Sequence, residues 1–468
     1  MSLWLAWFGG VRELRAACSR ASTFGWMCLA LAGFCLRTDR AGVSSWVRAL
    51  SLYGTAYPRL LHLCHSPALD LERLTACWVA LVLKLFSPVS VAGMRVWVGD
   101  GFKAPKEGRK MPAVKRLHQQ SANNTKPEYI FGHSFQAIGL LVTSALGTVF
   151  AVPISSRIHE GVVFSNRDRR TLLDKFVQLF VPLARHGAQP ALLVADAYYA
   201  CAKVIRPLLR EGHHLLTRVK PGAVAYALPP ERTPGQRGRP RRYGDKVPLQ
   251  SLWERTADFL SAPSPVYGER DVRLRYAVHD LLWRPAGTLV RFVLLDHPTR
   301  GQLILMSTCL HLPALDLIRL YGLRFKIEVS FRQAVYTLGT YAYHFWMKLM
   351  KLHSRTSGNQ YLHRTDQAYR DGVRRKLSAY HRYVQLGCIA QGLLQFLALA
   401  HAPAVWAQFK GWLRTLNPHQ APSEAVVAQA LRDTLPHFLL TAAPDHDLKK
   451  LLLDHLDSDR ASPLLMAA

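Results

Sequence analysis

Tyr321-Gly-Leu-Arg-Phe-Lys-Ile-Glu-Val-Ser-Phe-Arg-Gln333 reads as a single helix. At about 3.6 residues per turn, Tyr321, Arg324, Glu328 and Arg332 stack along one face. Leu320, Leu323, Ile327 and Phe331 fall beside that stripe and would anchor the helix in a core. A carboxylate bracketed by arginines one turn to either side has two readings. One is a salt-bridge ladder on a solvated surface; the other is a reactive carboxylate flanked by phosphate-binding cations. Two aspartates far upstream favour the second.

Arg95-Val-Trp-Val-Gly-Asp100 and Ala191-Leu-Leu-Val-Ala-Asp196 are apolar runs that each end on a carboxylate. The second is a continuous apolar stretch, the pattern of a buried parallel strand. Around them the chain reads as strands near 95–100, 131–142 and 147–158, a helix opened by Asn166-Arg-Asp168, the Asp196 strand, a helix over 200–210 and a strand over 214–219. The first three strands suit an antiparallel meander. With the Glu328 helix the order is β-β-β-α-β-α-β-α, that of a ribonuclease H-like core, so the expected class is α/β. Residues 221–310 interrupt it with alternating strand patterns over 272–278, 288–296 and 302–309, a mainly β insertion.

Helical regions flank this core. Residues 1–92 carry Leu, Ala, Trp and Phe at helical spacing, with Thr38-Asp39 as a candidate cap; the segment either binds DNA or only packs. The expected divisions are thus 1–92, 93–220, 221–310, 311–410 and 411–468. Residues 347–383 form a basic helical segment, and the uncharged run 384–409 a buried helix. Residues 414–468 hold seven acids against five bases, a tail suited to a partner contact.

The chain has 468 residues and a net charge of +29, from 60 Lys plus Arg against 31 Asp plus Glu. Half the residues are apolar, which excludes a disordered protein. The charge makes a polyanion the natural partner, nucleic acid before membrane. The run 384–409 contains four glutamines, which suits a core helix and not a bilayer span. Eight cysteines without a Cys-x-x-Cys pair indicate neither zinc ribbon nor disulfide framework, and His62-Leu-Cys64-His65 lacks ligand partners at a known spacing. With no secretory signal at the N-terminus, a reducing cytoplasm is expected.

Two stretches concentrate positive charge. A long loop from Gly101 to Tyr129 includes Lys103, Lys106, Lys110, Lys115, Arg116 and Lys126; residues 231–246 include Arg232, Arg237, Arg239, Arg241 and Arg242. Either is a solvated loop or a phosphate-tracking surface. Taken alone, each aspartate reads as a cap or turn residue. Together with Glu328, carboxylates meeting at one end of a sheet would cage hard divalent cations. Two such ions would activate a water or 3′-hydroxyl for phosphoryl displacement. Arg324 and Arg332 would then hold phosphates.

These residues resemble those of the bacterial insertion-sequence transposases of the DDE class. The resemblance rests on Val98-Gly-Asp100, Val194-Ala-Asp196 and Tyr321-x2-Arg324-x3-Glu328, with Lys103-Ala-Pro-Lys-Glu-Gly108 and Phe131-Gly-His-Ser-Phe135, over residues 35–350 or so. It implies that Asp100, Asp196 and Glu328 are catalytic and bind Mg²⁺ or Mn²⁺ as two ions, and that Tyr321, Arg324 and Arg332 contact DNA. It further implies cleavage of element ends at terminal inverted repeats, joining to target DNA, a homodimeric synapse, and a bacterial protein associated with the nucleoid. Such signatures commonly continue with a lysine seven residues after the glutamate, where this chain has Val335. In relatives with a β insertion an aromatic residue there stacks on a flipped base; Trp253 and Trp283 are the candidates, against core roles for both. Two alternatives stay open: a ribonuclease H-like nuclease or resolvase that does not join strands, and a DNA-binding protein without activity.

Overall fold

The computed structural model describes residues 2–39, 41–119, 127–144, 147–187, 189–231, 238–343 and 346–460. Five helices open the chain: α1 (Leu3–Arg12), α2 (Ala21–Leu36), α3 (Val43–Ala49), α4 (Ala56–His65) and α5 (Leu71–Leu85). Strands follow as β1 (Ser87–Pro88), β2 (Ser90–Val91), β3 (Met94–Pro105), β4 (Lys115–His118), β5 (Tyr129–Thr143), β6 (Val149–Ile158) and β7 (Val162–Val163). Next come α6 (Leu172–Arg185), β8 (Ala191–Val194), α7 (Ala202–Arg210) and β9 (His214–Val219). Residues 224–307 carry β10 (Val224–Tyr226), β11 (Lys246–Pro248), β12 (Leu260–Pro263), β13 (Arg273–Trp283), β14 (Thr288–His297) and β15 (Gly301–Ser307). The chain then runs through α8 (Ala314–Leu323), α9 (Lys326–Gln333), β16 (Gln360–Tyr361), α10 (Gln367–Ala400), α11 (Ala402–Gln408), α12 (Glu424–Thr441) and α13 (Asp447–Leu453). The architecture is mixed α/β, in two compact units.

The first unit comprises Met1–Pro88, Gly101–Arg169 and Ile327–Ala468. Its axis is α10, capped by Asp366, whose carboxylate accepts from the Tyr369 amide at 2.7 Å. Tyr383 on α10 stacks on Trp46 of α3, centroids 5.2 Å apart. Trp78 on α5 donates its indole N–H to the Pro153 carbonyl of β6 at 2.9 Å. A Cβ at Gly392 would overlap the Trp78 ring, so glycine is what lets that indole lie against α10. Gln385 accepts from the buried Arg157 guanidinium at 2.9 Å. Although α10 is long and apolar enough to cross a membrane, 83% of its apolar window is buried within the protein.

Val89–Asp100 and Arg170–Lys326 make the second unit. Its strands lie in the order β3-β8-β9-β15-β14-β13-β10-β11. The first three are parallel, and from β9 to β11 each pair is antiparallel. Trp97 of β3 meets Phe180 of α6 edge-on at 6.0 Å. Trp283 is buried edge-on to Phe292 at 6.0 Å, a core residue.

Several local expectations are corrected. Helix α6 starts not at Asn166-Arg-Asp168 but at Thr171, where Thr171 and Asp174 form a reciprocal capping box that satisfies two amides. Gly42, at φ +67°, is the N-cap of α3; Asp39 instead accepts from the Ala41 amide and pairs with Arg48. The stretch 101–129 is no simple loop, because β3 stays extended to Pro105 and β4 pairs with β5. Helix does not begin at Met347 but at Gln367, and then continues unbroken through the apolar run to Ala400.

The stretch 321–333 is two helices. The Arg324 amide donates to the Tyr321 carbonyl at 3.1 Å, closing α8 with a tighter i→i+3 turn before α9 opens at Lys326. The single four-residue stripe is therefore interrupted between Arg324 and Glu328.

Gly392→Ala should lower the thermal unfolding midpoint, since overpacking costs about 1–3 kcal/mol, more than the roughly 1 kcal/mol that alanine gains in a helix. A variant at least as stable as the parent, by calorimetry, would mean that Trp78 does not set the packing of α10.

Candidate active site

The parallel pairing of β3 with β8 runs from Arg95↔Ala191 to Val98↔Val194. Asp100 and Asp196 each lie two residues beyond the last pair, so the parallel pairing brings both to the same end of β3 and β8, where both charges bear on Tyr199. Asp100 is not at a strand terminus, as the sequence pattern implied, because β3 continues past it while β8 ends at Val194. Gly99 makes the place possible: a Cβ there would lie 2.5 Å from the Phe176 ring. Asp196 leaves the sheet by capping a 3₁₀ turn, its Oδ1 accepting from the Tyr198 amide at 2.9 Å. Its carbonyl accepts from Thr217 Oγ1 of β9 at 2.7 Å.

The cation beside this pair is Arg324, whose Nη1 lies 3.1 Å from Asp100 Oδ2, both side chains mostly buried. Tyr199 is buried against Phe176, centroids 4.5 Å apart. Burial raises the Tyr199 hydroxyl well above its ordinary pKa, and the negative charges of Asp100 and Asp196 add to the rise. Burial also raises Tyr321, while Arg324 and Arg218 pull it down and Asp196 pushes it up. Two carboxylates, two guanidiniums and two phenols therefore share one neighbourhood. Next to it opens a cavity of about 490 Å³ lined by Ala197, Arg218, Lys220, Gln250, Trp253 and Gln302 among others. Trp253 stacks on Phe259 at 5.5 Å. Sequence reasoning missed Tyr199, Thr217, Arg218 and Lys220.

Glu328 and Arg332 belong to α9 in the first unit, Glu328 half-buried and Arg332 exposed. Val335, in the place of the signature lysine, lies in a π-turn, Ala334–Leu338. The basic residues of 103–116 divide by what they touch. Lys103 Nζ donates to the His118 carbonyl at 2.6 Å, and Lys110 Nζ to the Lys348 carbonyl at 3.3 Å. Lys115 pairs with Glu160 at 2.9 Å. The Arg116 guanidinium lies over Tyr129 at 3.7 Å from the ring centroid, exposed. Lys106 is corrected as a surface cation: it is buried, with Nζ on the Tyr341 and Tyr343 carbonyls and over the Tyr380 ring. In the second unit Arg239, Arg241 and Arg242 are exposed, and Arg242 donates to the Gly287 carbonyl at 3.3 Å. Lys126, Arg232 and Arg237 lie outside the described residues, as does 461–468 of the acidic tail.

A family profile described as DDE superfamily endonuclease matches residues 13–285, more than half of the chain. The chain belongs to the DDE superfamily endonucleases. The match takes in Asp100 and Asp196 and ends before Glu328. No curated protein matches the chain. As an endonuclease of this superfamily it acts on DNA, and enzymes of the kind generally use divalent metal ions. Among the described residues no group of three His, Cys, Asp or Glu side chains forms a complete protein cage for a metal. The endonuclease does offer two hard oxygen donors, Asp100 and Asp196, just beyond the paired ends of two parallel strands. That suits an ion such as Mg²⁺, which binds one or two carboxylates and fills its shell with water and substrate phosphate.

Lys106 gives the endonuclease a pH signature. Burial lowers its pKa from 10.5 to about 7. Above about pH 7 the unfolded chain holds a proton that the folded one has released, so this group adds stability as pH rises toward 10.5. Below about pH 7 both states hold the proton, and the cost of the buried ammonium is present in full. In denaturant titrations at about pH 6 and about pH 9, Lys106→Met should lose this rising component. A variant with the parent's pH slope would place the ammonium in water.

Proposed function

We propose that this endonuclease is a DNA transposase with a ribonuclease H-like core, in which Asp100, Asp196 and Glu328 hold two divalent ions, Mg²⁺ or Mn²⁺. The observation that carries the reading is the placement of Asp100 and Asp196 just beyond the paired ends of two parallel strands, beside Arg324 and a cationic cavity. Glu328 joins them on the strength of the Tyr321-x2-Arg324-x3-Glu328 signature. Bound there, divalent ions supply Lewis-acid stabilisation and a more acidic attacking water or 3′-hydroxyl.

The chain's own groups do the rest. Asp100 and Asp196 are hydrogen-bond acceptors and metal ligands fixed by sheet register. Arg324, beside Asp100, would hold a non-bridging phosphate oxygen. Arg218 and Lys220 carry the adjacent phosphate along the cavity, and Trp253 offers its face to a base. Tyr321 keeps Arg324 oriented, and Arg332 on α9 adds a further phosphate contact. Lys103, Lys110, Lys115 and Arg116, with Arg239, Arg241 and Arg242, are the distal backbone contacts. Residues 1–92 form a DNA-end-binding domain, 93–220 and 311–410 the core with its basic segment, 221–310 the insertion and 411–468 the partner-contacting tail. The synaptic complex is a homodimer on terminal inverted repeats, formed in a bacterial cytoplasm, and the 3′-hydroxyl of the element end attacks a target phosphodiester, whose own 3′-oxygen leaves as the new phosphodiester forms.

Asp100→Asn, Asp196→Asn and Glu328→Gln should each reduce cleavage of a duplex bearing the element end below about 1% of the parent, with duplex affinity changed by less than about twofold. Retained cleavage in any of them removes that residue from the metal site. Given precut ends, the parent should join them to a second duplex; cleavage without joining would favour the resolvase reading. Affinity for duplex DNA should fall steeply with salt, with about 0.9 counterions released per phosphate neutralised. A flat salt dependence would dismiss the basic segments as contact surfaces.

A further inference from the structure

Helix α9, which carries Glu328, has only eight residues, and the two that it buries are Ile327 and Ser330. A helix this short has two apolar anchors, buried Ile327 and Phe331 against the Phe102 ring at 5.2 Å, and its rotation is set only when a polar anchor is fixed as well; a slip of one residue turns a side chain by about 100°. The polar anchor is held from α10. Gln391 Nε2 donates to the Ser330 carbonyl at 3.0 Å and meets Ser330 Oγ at 3.0 Å. The same nitrogen lies 3.4 Å from Glu424 Oε1 on α12, and Gln395 Nε2 donates to that oxygen at 2.8 Å. Ser330, Gln391, Gln395 and Glu424 are all buried.

The place of this contact in the helix matters. In a regular α-helix the Ser330 carbonyl accepts from the amide four residues on, that of Ala334. Ala334 is where the backbone widens into the π-turn Ala334–Leu338, whose bonds run one residue further. A side-chain donor aimed at the carbonyl of the changeover fixes where the widening occurs. The far end of the turn is fixed too: Gly339 adopts φ +60°, the Thr340 amide returns to the Ala334 carbonyl at 2.8 Å, and the Tyr383 hydroxyl donates to the Gly339 carbonyl at 3.3 Å. Helix α9 is thus held by Ile327, by Phe331 on Phe102 and, as its polar anchor, by one side-chain amide that a buried glutamate orients.

We propose that Gln391, held by Glu424, is a positioning residue that sets the rotation of α9 and so the direction of Glu328. It rests on the reading of Glu328 as a metal-binding carboxylate. Gln391 touches neither substrate nor metal in this scheme; it acts through Ser330.

The test compares Gln391→Met with the full-length parent, because methionine keeps the volume and removes the donor. Expected are cooperative unfolding, parental duplex affinity, and a half-saturating Mg²⁺ concentration for cleavage raised about tenfold, the scale of an outer partner of a metal ligand. A merely structural glutamine would lower stability without moving the Mg²⁺ dependence, and that result overturns the proposal. Should Gln391→Met fail to fold, Glu424→Gln carries the test, since it leaves Gln391 in place and replaces one of the two acceptor oxygens of Glu424 by an amide donor. A smaller shift of the Mg²⁺ midpoint in the same direction supports the proposal; an unchanged midpoint overturns it. Glu328→Gln is run alongside. If that variant cleaves normally, the role of Glu328 has failed and the positioning role falls with it; if it is inactive while Gln391→Met keeps the parental midpoint, only the positioning role has failed.

Discussion

The parallel register of β3 and β8 is the constraint on which the site depends. Neighbouring strands lie about 4.8 Å apart, so two aspartates at one level repel. At an effective dielectric near 20 and a separation of about 5 Å, that repulsion is about 3 kcal/mol. A fold keeps such a pair only if something cationic offsets it. Arg324 does so from one side, within 3.1 Å of Asp100, while the Tyr198 amide takes up one oxygen of Asp196. Gly99 and the buried ring of Phe176 beneath it hold the Asp100 strand at that level. Sheet register, a glycine and an arginine together make an arrangement primed for a divalent cation, which would supply more positive charge than the single guanidinium it displaces.

How much of this is legible in sequence depends on whether local pattern or distant contact decides it. The strand His214–Val219 and the strands from Thr288 and from Gln302 follow from short apolar runs, and they appear within a residue or two of the expected bounds. The two aspartates announce themselves because each closes such a run. The break after Leu323 does not, since every residue from Tyr321 to Gln333 is compatible with helix and the interruption coincides with an ion pair to a residue more than two hundred positions away. Tyr199 is invisible for the same reason: only the approach of β3 to β8 shows that both carboxylates bear on one phenol. The start of α6 was misread because Asp168 resembles a cap, whereas the reciprocal pair Thr171 and Asp174 satisfies two amides at once.

Net charge is similarly a coarse guide. The count of cations in 103–116 suggests a uniform phosphate-binding loop, yet the side chains have different tasks. Lys106 is inside, donating to the carbonyls of Tyr341 and Tyr343; Lys115 pairs with Glu160; Arg116 lies exposed on Tyr129. Composition cannot separate these, because a lysine stem packs on apolar surface whether its ammonium meets water or a carbonyl. In the second unit the exposed arginines 239, 241 and 242 keep the character that their sequence gives them.

The central claim is that Asp100 and Asp196 jointly ligate a divalent cation. Crystals of the protein grown with Mn²⁺ and a duplex substrate would test it through an anomalous difference map. The account predicts a peak within about 2.3 Å of a carboxylate oxygen from each aspartate, with the Arg324 guanidinium moved off Asp100. Manganese bound elsewhere, with the Arg324–Asp100 pair intact in a complex competent for cleavage, would contradict it.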